Sequence, residues 1–107
     1  MPELTPAHVA ILEHLVARGF APVAFPMYAN AIGVRRGAFA ALLAPADDAA
    51  FKIMGEPCYV MGMNLAVRTR RNGRDVFVWK DKVVEVTPEL LEELVRFSGE
   101  LRAVIGN

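Results

Sequence analysis

The sequence predicts an α+β fold, in which an antiparallel β-sheet built as a hairpin-rich meander is flanked by an N-terminal and a C-terminal α-helix. Three observations predict it. Two segments open with the same helix-start signal, the region from 65 to 86 alternates apolar and polar residues about an Asn-Gly turn, and 107 residues is the length of one domain. We therefore treat residues 1–107 as a single domain with one hydrophobic core.

Both predicted helices begin at a Thr-Pro pair. In LTPAHV and VTPELL, Thr5 and Thr87 can accept a backbone hydrogen bond as N-caps, and the proline after each takes the first helical position, where no N–H donor is needed. The first helix is predicted from Pro6 to Arg18, with Gly19 as its left-handed end. Its predicted apolar face comprises Val9, Leu12, Leu15 and Val16.

The second helix is predicted from Pro88 toward the C-terminus, because apolar residues recur there at alternating spacings of four and three. This seam comprises Leu90, Leu94, Phe97, Leu101 and Val104. We expect the seam to pack in the core, and we also predict an interface with another molecule at Leu90, Leu94, Phe97 and Leu101. Glu92 and Arg96, four residues apart, are expected to pair on the opposite face.

The sheet is predicted first from Asn72-Gly73, because this dipeptide is the strongest short-range signal of a two-residue hairpin turn. The turn places Arg70 opposite Asp75. A second turn is predicted at Asp81-Lys82. One sheet face should then meet the helices. On that face we expect Val84 to lie beside Trp79 and Val86 to lie beside Phe77.

Further strands are predicted upstream of this hairpin. Phe51–Met54 and Cys58–Met61 are short apolar runs, and Gly55-Glu56-Pro57 between them predicts a break. Residues 19–27 are predicted to be extended rather than helical, because they contain two prolines.

Two interpretations compete for YANAIGVRRGAFAALL, residues 28–43. The stretch resembles a helix-turn-helix with Gly33 at the turn, which together with the Arg-rich hairpin implies a winged-helix DNA-binding transcriptional regulator. Alternatively, Ala31–Val34 and Ala38–Leu43 are strands joined at Arg35-Arg36-Gly37, with the glycine at positive φ. We favour the strands, because they place Gly37 and the two arginines at a turn, whereas a recognition helix would expose only the arginines as bidentate side chains and would carry Gly37 in its first turn.

Nucleic acid is a disfavoured partner for a second reason, which is charge. The 12 basic and 12 acidic residues leave a formal net charge of zero, whereas phosphate contacts usually require a basic surplus. Under the winged-helix alternative, the residues predicted to contact phosphates are Arg35, Arg36, Arg68, Arg70, Arg71 and Arg74. For the last four we favour a solvated hairpin end, in which Arg70 is already matched by Asp75.

The sequence predicts no catalytic, cofactor-binding or metal-binding residues, and hence no enzyme. His8 and His14 lie six apart on a helix and turn toward different faces, so they cannot bind one metal ion. Cys58 lies in an apolar strand, where a thiol is usually an inert small hydrophobe. A ligand pocket is a further candidate, with core packing as the alternative, at Tyr28, Tyr59, Trp79, Met54, Met61 and Met63.

Composition predicts self-association. The chain is 54% hydrophobic and 22% charged, which is more apolar than is usual for a soluble domain, and zero net charge favours association. We therefore expect a homodimer or larger assembly, with any other protein or small ligand unidentified and no membrane contact. A single cysteine and no visible signal peptide predict a cytoplasmic location. The expected role is that of a small intracellular interaction or binding module.

Overall fold

The computed structural model describes residues 3–28 and 30–106 and confirms the α+β prediction. Within those ranges, two helices accompany a seven-stranded antiparallel meander whose spatial order is the chain order. The elements are α1 (Pro6–Ala17), β1 (Ala21–Val23), β2 (Ile32–Arg36), β3 (Phe39–Pro45), β4 (Phe51–Met61), β5 (Asn64–Arg71), β6 (Arg74–Trp79), β7 (Lys82–Glu85) and α2 (Pro88–Ile105). Pro26–Tyr28 form a short 3-10 turn between β1 and β2.

Both predicted helix starts are confirmed. The Thr5 hydroxyl accepts a hydrogen bond from the His8 backbone N–H at 3.3 Å, and the Thr87 hydroxyl accepts one from the Leu90 N–H at 3.2 Å. Helix α1 ends at Ala17, one residue before the predicted Arg18, and Gly19 has the positive φ of +92° that its sequence predicts. Helix α2 buries Leu94, Phe97 and Leu101 of the predicted seam and pairs Glu92 with Arg96 at 3.2 Å.

The predicted face of α1 is partly wrong. Leu15 is buried, but Val9 and Val16 are 43% and 52% exposed. The residue that takes their place in the interior is His8, which is 2% exposed. A polar residue replaces valine there because the surrounding backbone offers it hydrogen-bond partners on both ring nitrogens.

His8 joins the start of α1 to the loop between β3 and β4. The Thr5 backbone N–H donates to His8 Nδ1 at 3.1 Å, so Nε2 carries the proton and donates to the carbonyls of Asp47 at 2.6 Å and Ala50 at 3.0 Å. The Thr5 hydroxyl donates to the Asp48 carbonyl beside them. The imidazole also packs against the Phe51 ring, with 4.8 Å between centroids. One side chain thus fixes the helix onto the loop that joins β3 to β4.

The second predicted hairpin turn is displaced, whereas the first is confirmed. Asn72 and Gly73 both have positive φ, and Arg70 pairs with Asp75. The next turn is Lys80-Asp81 rather than Asp81-Lys82, so the register shifts by two residues: Lys82 rather than Val84 pairs with Trp79, and Val84 rather than Val86 pairs with Phe77. In the observed register Val83 pairs with Val78, so two apolar side chains lie next to each other on the other face of the sheet. A two-residue shift preserves the face, so Phe77, Trp79, Val84 and Val86 still pack on the core.

The helix-turn-helix interpretation of residues 28–43 is wrong, because the segment contains the strands β2 and β3. The bounds differ slightly from those predicted, because β2 includes both arginines and the turn is Gly37-Ala38, with Gly37 at φ +62°. The Glu93 carboxylate on α2 accepts a hydrogen bond from the Ala38 N–H at 2.8 Å. Burial of Phe39 and Leu43 overrides the helix preference of the Ala- and Leu-rich run.

The two strands predicted from 51 to 61 are one 11-residue strand, β4. Their predicted separator remains within it as a bulge. Leu42 pairs with Met54 and Ala40 pairs with Cys58, so the three residues 55–57 face a single residue of β3. Gly55 adopts φ +70° at this point.

The helices cover one face of the sheet, which we call the inner face. Its centre is an aromatic group that we call the Phe39 cluster. The Phe39 ring lies 5.6 Å from Phe77, 5.8 Å from Tyr59 and 6.4 Å from Phe97 of α2, with all distances between centroids. Phe20, which follows α1, completes the cluster at 5.3 Å from Phe97. Edge-to-face contacts of this kind stabilise a core beyond area burial alone.

On the opposite face, which we call the outer face, Gly33 allows a close approach. A Cβ built at Gly33 would lie 2.6 Å from the Phe25 ring and would also collide with the Val23 carbonyl oxygen. The backbone of β2 therefore accommodates the segment after β1 only because residue 33 has no side chain.

Replacement of Gly33 by alanine is expected to lower the free energy of unfolding by about 1–3 kcal/mol, because Phe25 and the β1 backbone must shift. Gly99→Ala is the matched control, since its Cβ meets nothing within 4 Å in a helix interior and should stabilise by up to about 1 kcal/mol. Urea denaturation measures both. Equal midpoints for the two variants would contradict the close approach.

His8→Phe keeps an aromatic ring but removes the His8 donor from the Asp47 carbonyl and one of the two donors from the Ala50 carbonyl, which also accepts from the Ala46 N–H. We expect a loss of about 1–3 kcal/mol in the free energy of unfolding by urea denaturation. His14→Phe, on the exposed side of α1, is the control and should change stability by no more than about 0.5 kcal/mol. If both substitutions have the same effect, His8 does not connect α1 to the loop.

Candidate interaction site

The predicted interface on α2 lies mostly inside the chain. Leu94, Phe97 and Leu101 are 8%, 1% and 0% exposed, and Leu90 is half-buried. Their predicted packing role is confirmed, while a role as an interface stays a prediction for which little side-chain surface remains. The large apolar side chains that α2 exposes are Leu91 and Val95.

Arg35 and Arg36 do not form one surface, because neighbouring residues of a strand point to opposite faces. The Arg36 guanidinium lies on the inner face, 4.6 Å from the centroid of the Phe20 ring, and pairs with Glu100 of α2. Arg35 is on the outer face and donates from Nε to the Gly37 carbonyl at 3.0 Å. Arg36 is therefore engaged in holding α2 to the sheet.

The arginines of the β5–β6 hairpin mostly have carboxylate partners. Arg68 lies 2.9 Å and Arg70 3.5 Å from the Asp75 carboxylate, and Arg74 lies 3.8 Å from Glu85. Arg71 faces Arg74 beside the turn. This arrangement agrees with the solvated hairpin end, and the nucleic-acid hypothesis has lost the recognition helix on which it depended.

Asp75 shows the electrostatic effect of these neighbours. The hydrogen bond from Arg68 is the main cause that holds the pKa of the Asp75 carboxyl below its usual range, and the charge of Arg68 and then of Arg70 adds to it. Since the folded pKa is the lower one, the pair stabilises the fold above the unfolded pKa of about 4 and loses that effect as pH falls through the folded value. The carboxyl is exposed, so the contribution is small and sensitive to salt.

Arg68→Gln should therefore move the Asp75 titration midpoint upward, toward the ordinary aspartate value, in a pH titration followed by NMR of the side-chain carboxyl. Arg71→Gln is the control, because Arg71 is not among the causes of the lowered pKa, and it should leave the midpoint in place. A shift of equal size in both variants would mean that general charge rather than the Arg68 contact lowers the pKa.

The outer face of the sheet is apolar and only partly covered. At its centre, Phe25 from the segment after β1 packs on Ala40, Val60 and Leu65. Around this centre lies a groove of about 470 Å³, and an adjoining hollow of about 230 Å³ extends toward β6. The apolar side chains that line these two depressions include Tyr28, Leu42, Met54, Met63, Leu65 and Val67.

Much of this surface is exposed to solvent. Met27 is 71% exposed, Met63 58%, Val67 57%, Met54 44% and Tyr28 40%. Contiguous apolar surface of this kind on a folded domain marks an interaction site more often than isolated exposed residues do.

The sequence-predicted ligand pocket is divided between the two faces. Tyr28, Met54 and Met63 line the outer-face depressions, whereas Tyr59 and Met61 pack on the core. Trp79 contacts both regions. A signal that could have located the outer face is the apolar run FAALLA of β3, which has no polar residue on either face.

Cys58 packs with the outer-face residues around Phe25, whereas His8 packs against Phe51 of the inner-face core, so the thiol and the imidazole do not meet. Burial, with the nearby Glu56 charge as a second cause, raises the pKa of the Cys58 thiol. In the described ranges, no group of three or more His, Cys, Asp or Glu residues is arranged to hold a metal ion. Neither helix found there has the length and apolarity that a membrane span requires.

Comparison with protein-family models, with curated protein sequences and with solved structures found no match for this chain. The outer face is therefore the candidate site on the strength of its own geometry.

Proposed function

We propose that this protein is a small non-catalytic binding module that self-associates through the outer face of its sheet. The observation that carries the proposal is the apolar outer face, whose exposed members include Val67, Met63 and Met54. Sheet faces with side chains of this type usually pack against a second layer, and a second copy of the chain can supply one.

Charge supports a second copy as the occupant. The formal net charge is zero, so two copies do not repel one another at long range. The strand residues around the outer-face groove are apolar or small, apart from Glu56 and Arg68 at its rim. The apolar residues of two such faces can exclude water from each other.

The surroundings of His8 and Cys58 support the non-catalytic part of the proposal. Both ring nitrogens of His8 are engaged with backbone groups, and the raised pKa of Cys58 disfavours the thiolate that a nucleophile requires. A single free cysteine also fits a reducing compartment, and we place the module in the cytoplasm on that ground.

Self-association is tested by light scattering coupled to size-exclusion chromatography over a range of concentrations. The wild-type chain should give about twice its mass of 11.7 kDa. Val67→Glu should weaken the dimer by roughly tenfold or more, because it places a charge in the apolar contact.

Val16→Glu is the matched control, since Val16 is 52% exposed on α1, on the helix side of the sheet. This variant should keep the mass of the wild type. A wild-type monomer at high concentration, or a Val67→Glu variant that remains dimeric, would contradict the proposal.

A further inference from the structure

The sheet divides between β4 and β5. Among the described residues, these strands pair only next to their connecting turn, where Tyr59, Val60 and Met61 face Ala66, Leu65 and Asn64. On the N-terminal side of Tyr59, β4 passes through the bulge and pairs with β3. On the C-terminal side of Ala66, β5 pairs with β6. We call the space between Met54–Pro57 and Val67–Arg71 the sheet notch.

Openings on both faces mark the notch. The outer-face groove and a second cleft of about 440 Å³ below α2 share Glu56, Pro57 and Arg68 in their linings. Residues shared by depressions on opposite sides of a sheet lie where the sheet itself is open. The α2 side of this second cleft is formed by Leu91, Leu94, Val95, Ser98, Gly99 and Arg102.

The borders of the notch are exposed strand segments. Met54, Gly55 and Glu56 on one side and all of Val67–Arg71 on the other are exposed. Among the described residues, none pairs with either segment across the notch. The outer edges of the sheet are protected differently, because β1 is three residues long and contains Pro22, and β7 is four residues long and carries Lys82 and Glu85.

From these features we infer that the sheet notch binds an extended acidic peptide by strand addition, with β5 supplying most of the main-chain hydrogen bonds. A peptide backbone has the alternating donors and acceptors that an unpaired strand border requires. Pro57 has no N–H, so it can contribute only its carbonyl oxygen, and the donors on the β4 side must come from other residues of that border. Alternate side chains of the peptide would enter the outer-face groove and the cleft below α2.

The charged side chains around the notch favour an acidic peptide. The basic side chains at the borders and the cleft outnumber the acidic ones, since Arg68, Arg70, Arg71 and Arg102 lie there with Glu56, and Asp75 of β6 pairs with Arg68 and Arg70. Arg71 and Arg102 belong to no ion pair among the described residues, so an incoming carboxylate can pair with them without displacing another.

The inference adds a partner class to the proposed binding module, and because a second copy and the peptide would both use the outer-face groove, the peptide is expected to compete with self-association. It is tested with a blocked peptide of about eight alternating valine and glutamate residues, the length of an ordinary strand, added to the full chain. NMR should show shifted amide signals for Gly55, Glu56 and Val67–Arg71, and hydrogen exchange should show these amides becoming protected.

Two control peptides separate the contribution of main-chain hydrogen bonds from the contribution of charge. Methylation of alternate backbone nitrogens should weaken binding at least about tenfold if main-chain hydrogen bonds are needed, and replacement of glutamate by lysine should weaken it by a similar factor. On the protein, Arg102→Gln should weaken binding roughly threefold, whereas Arg96→Gln on the solvent face of α2 should not.

Several outcomes overturn the inference. These are no shift at saturating peptide, equal affinity for the methylated peptide, or shifts confined to the outer face at Leu42 and Val60. Notch amides that are already protected in the free protein and lose protection on dilution would mean that a second copy fills the notch. Because light scattering on the same samples gives the mass, failure of peptide binding and failure of self-association are recorded separately.

Discussion

The Phe39 cluster is the interaction on which the architecture depends. The two halves of the sheet share only a short ladder between β4 and β5, so ladder hydrogen bonds alone connect them weakly. Aromatic contacts on the inner face supply the rest, because Tyr59 of the first half stacks on Phe77 of the second with 5.1 Å between ring centroids. Phe97 of α2 packs on Phe39 from above, so one helix stabilises the junction.

The same packing explains why the outer face is the exposed one. Bulky rings occupy the inner positions of β3, β4 and β6, while the outer positions near them are small, as at Gly33 and Ala40. Small residues let Phe25 approach and cover the centre of the outer face. One connecting segment cannot cover seven strands, so apolar side chains around that centre remain in contact with water.

The bulge in β4 links these features to the notch. Its extra residues change the direction of the strand where β5 would otherwise continue the ladder. The divided sheet remains one folded unit because the Phe39 cluster spans the division on the inner face. Packing on the inner face thus holds the two halves together beside the notch, where strand backbone is unpaired, and binding by strand addition requires such backbone.

The sequence by itself determined the local features of this protein. Both N-caps and the Asn72-Gly73 turn were predictable because each is decided by residues within a few positions of one another. The fold class followed, since two capped amphipathic helices and an alternating hairpin favour few other arrangements. The α2 side of the core could be assigned from spacing alone.

Only the tertiary structure decided the features that depend on distant partners. Burial of Phe39 and Leu43 made residues 32–43 strands against their helix preference, and the carbonyls of Asp47 and Ala50 brought His8 rather than Val9 inside. The outer face and the notch arise in the same way, since whether a strand is covered or paired is set by elements far along the chain. Local propensities are smaller than the free energy of such burial, so distant contacts prevail over them.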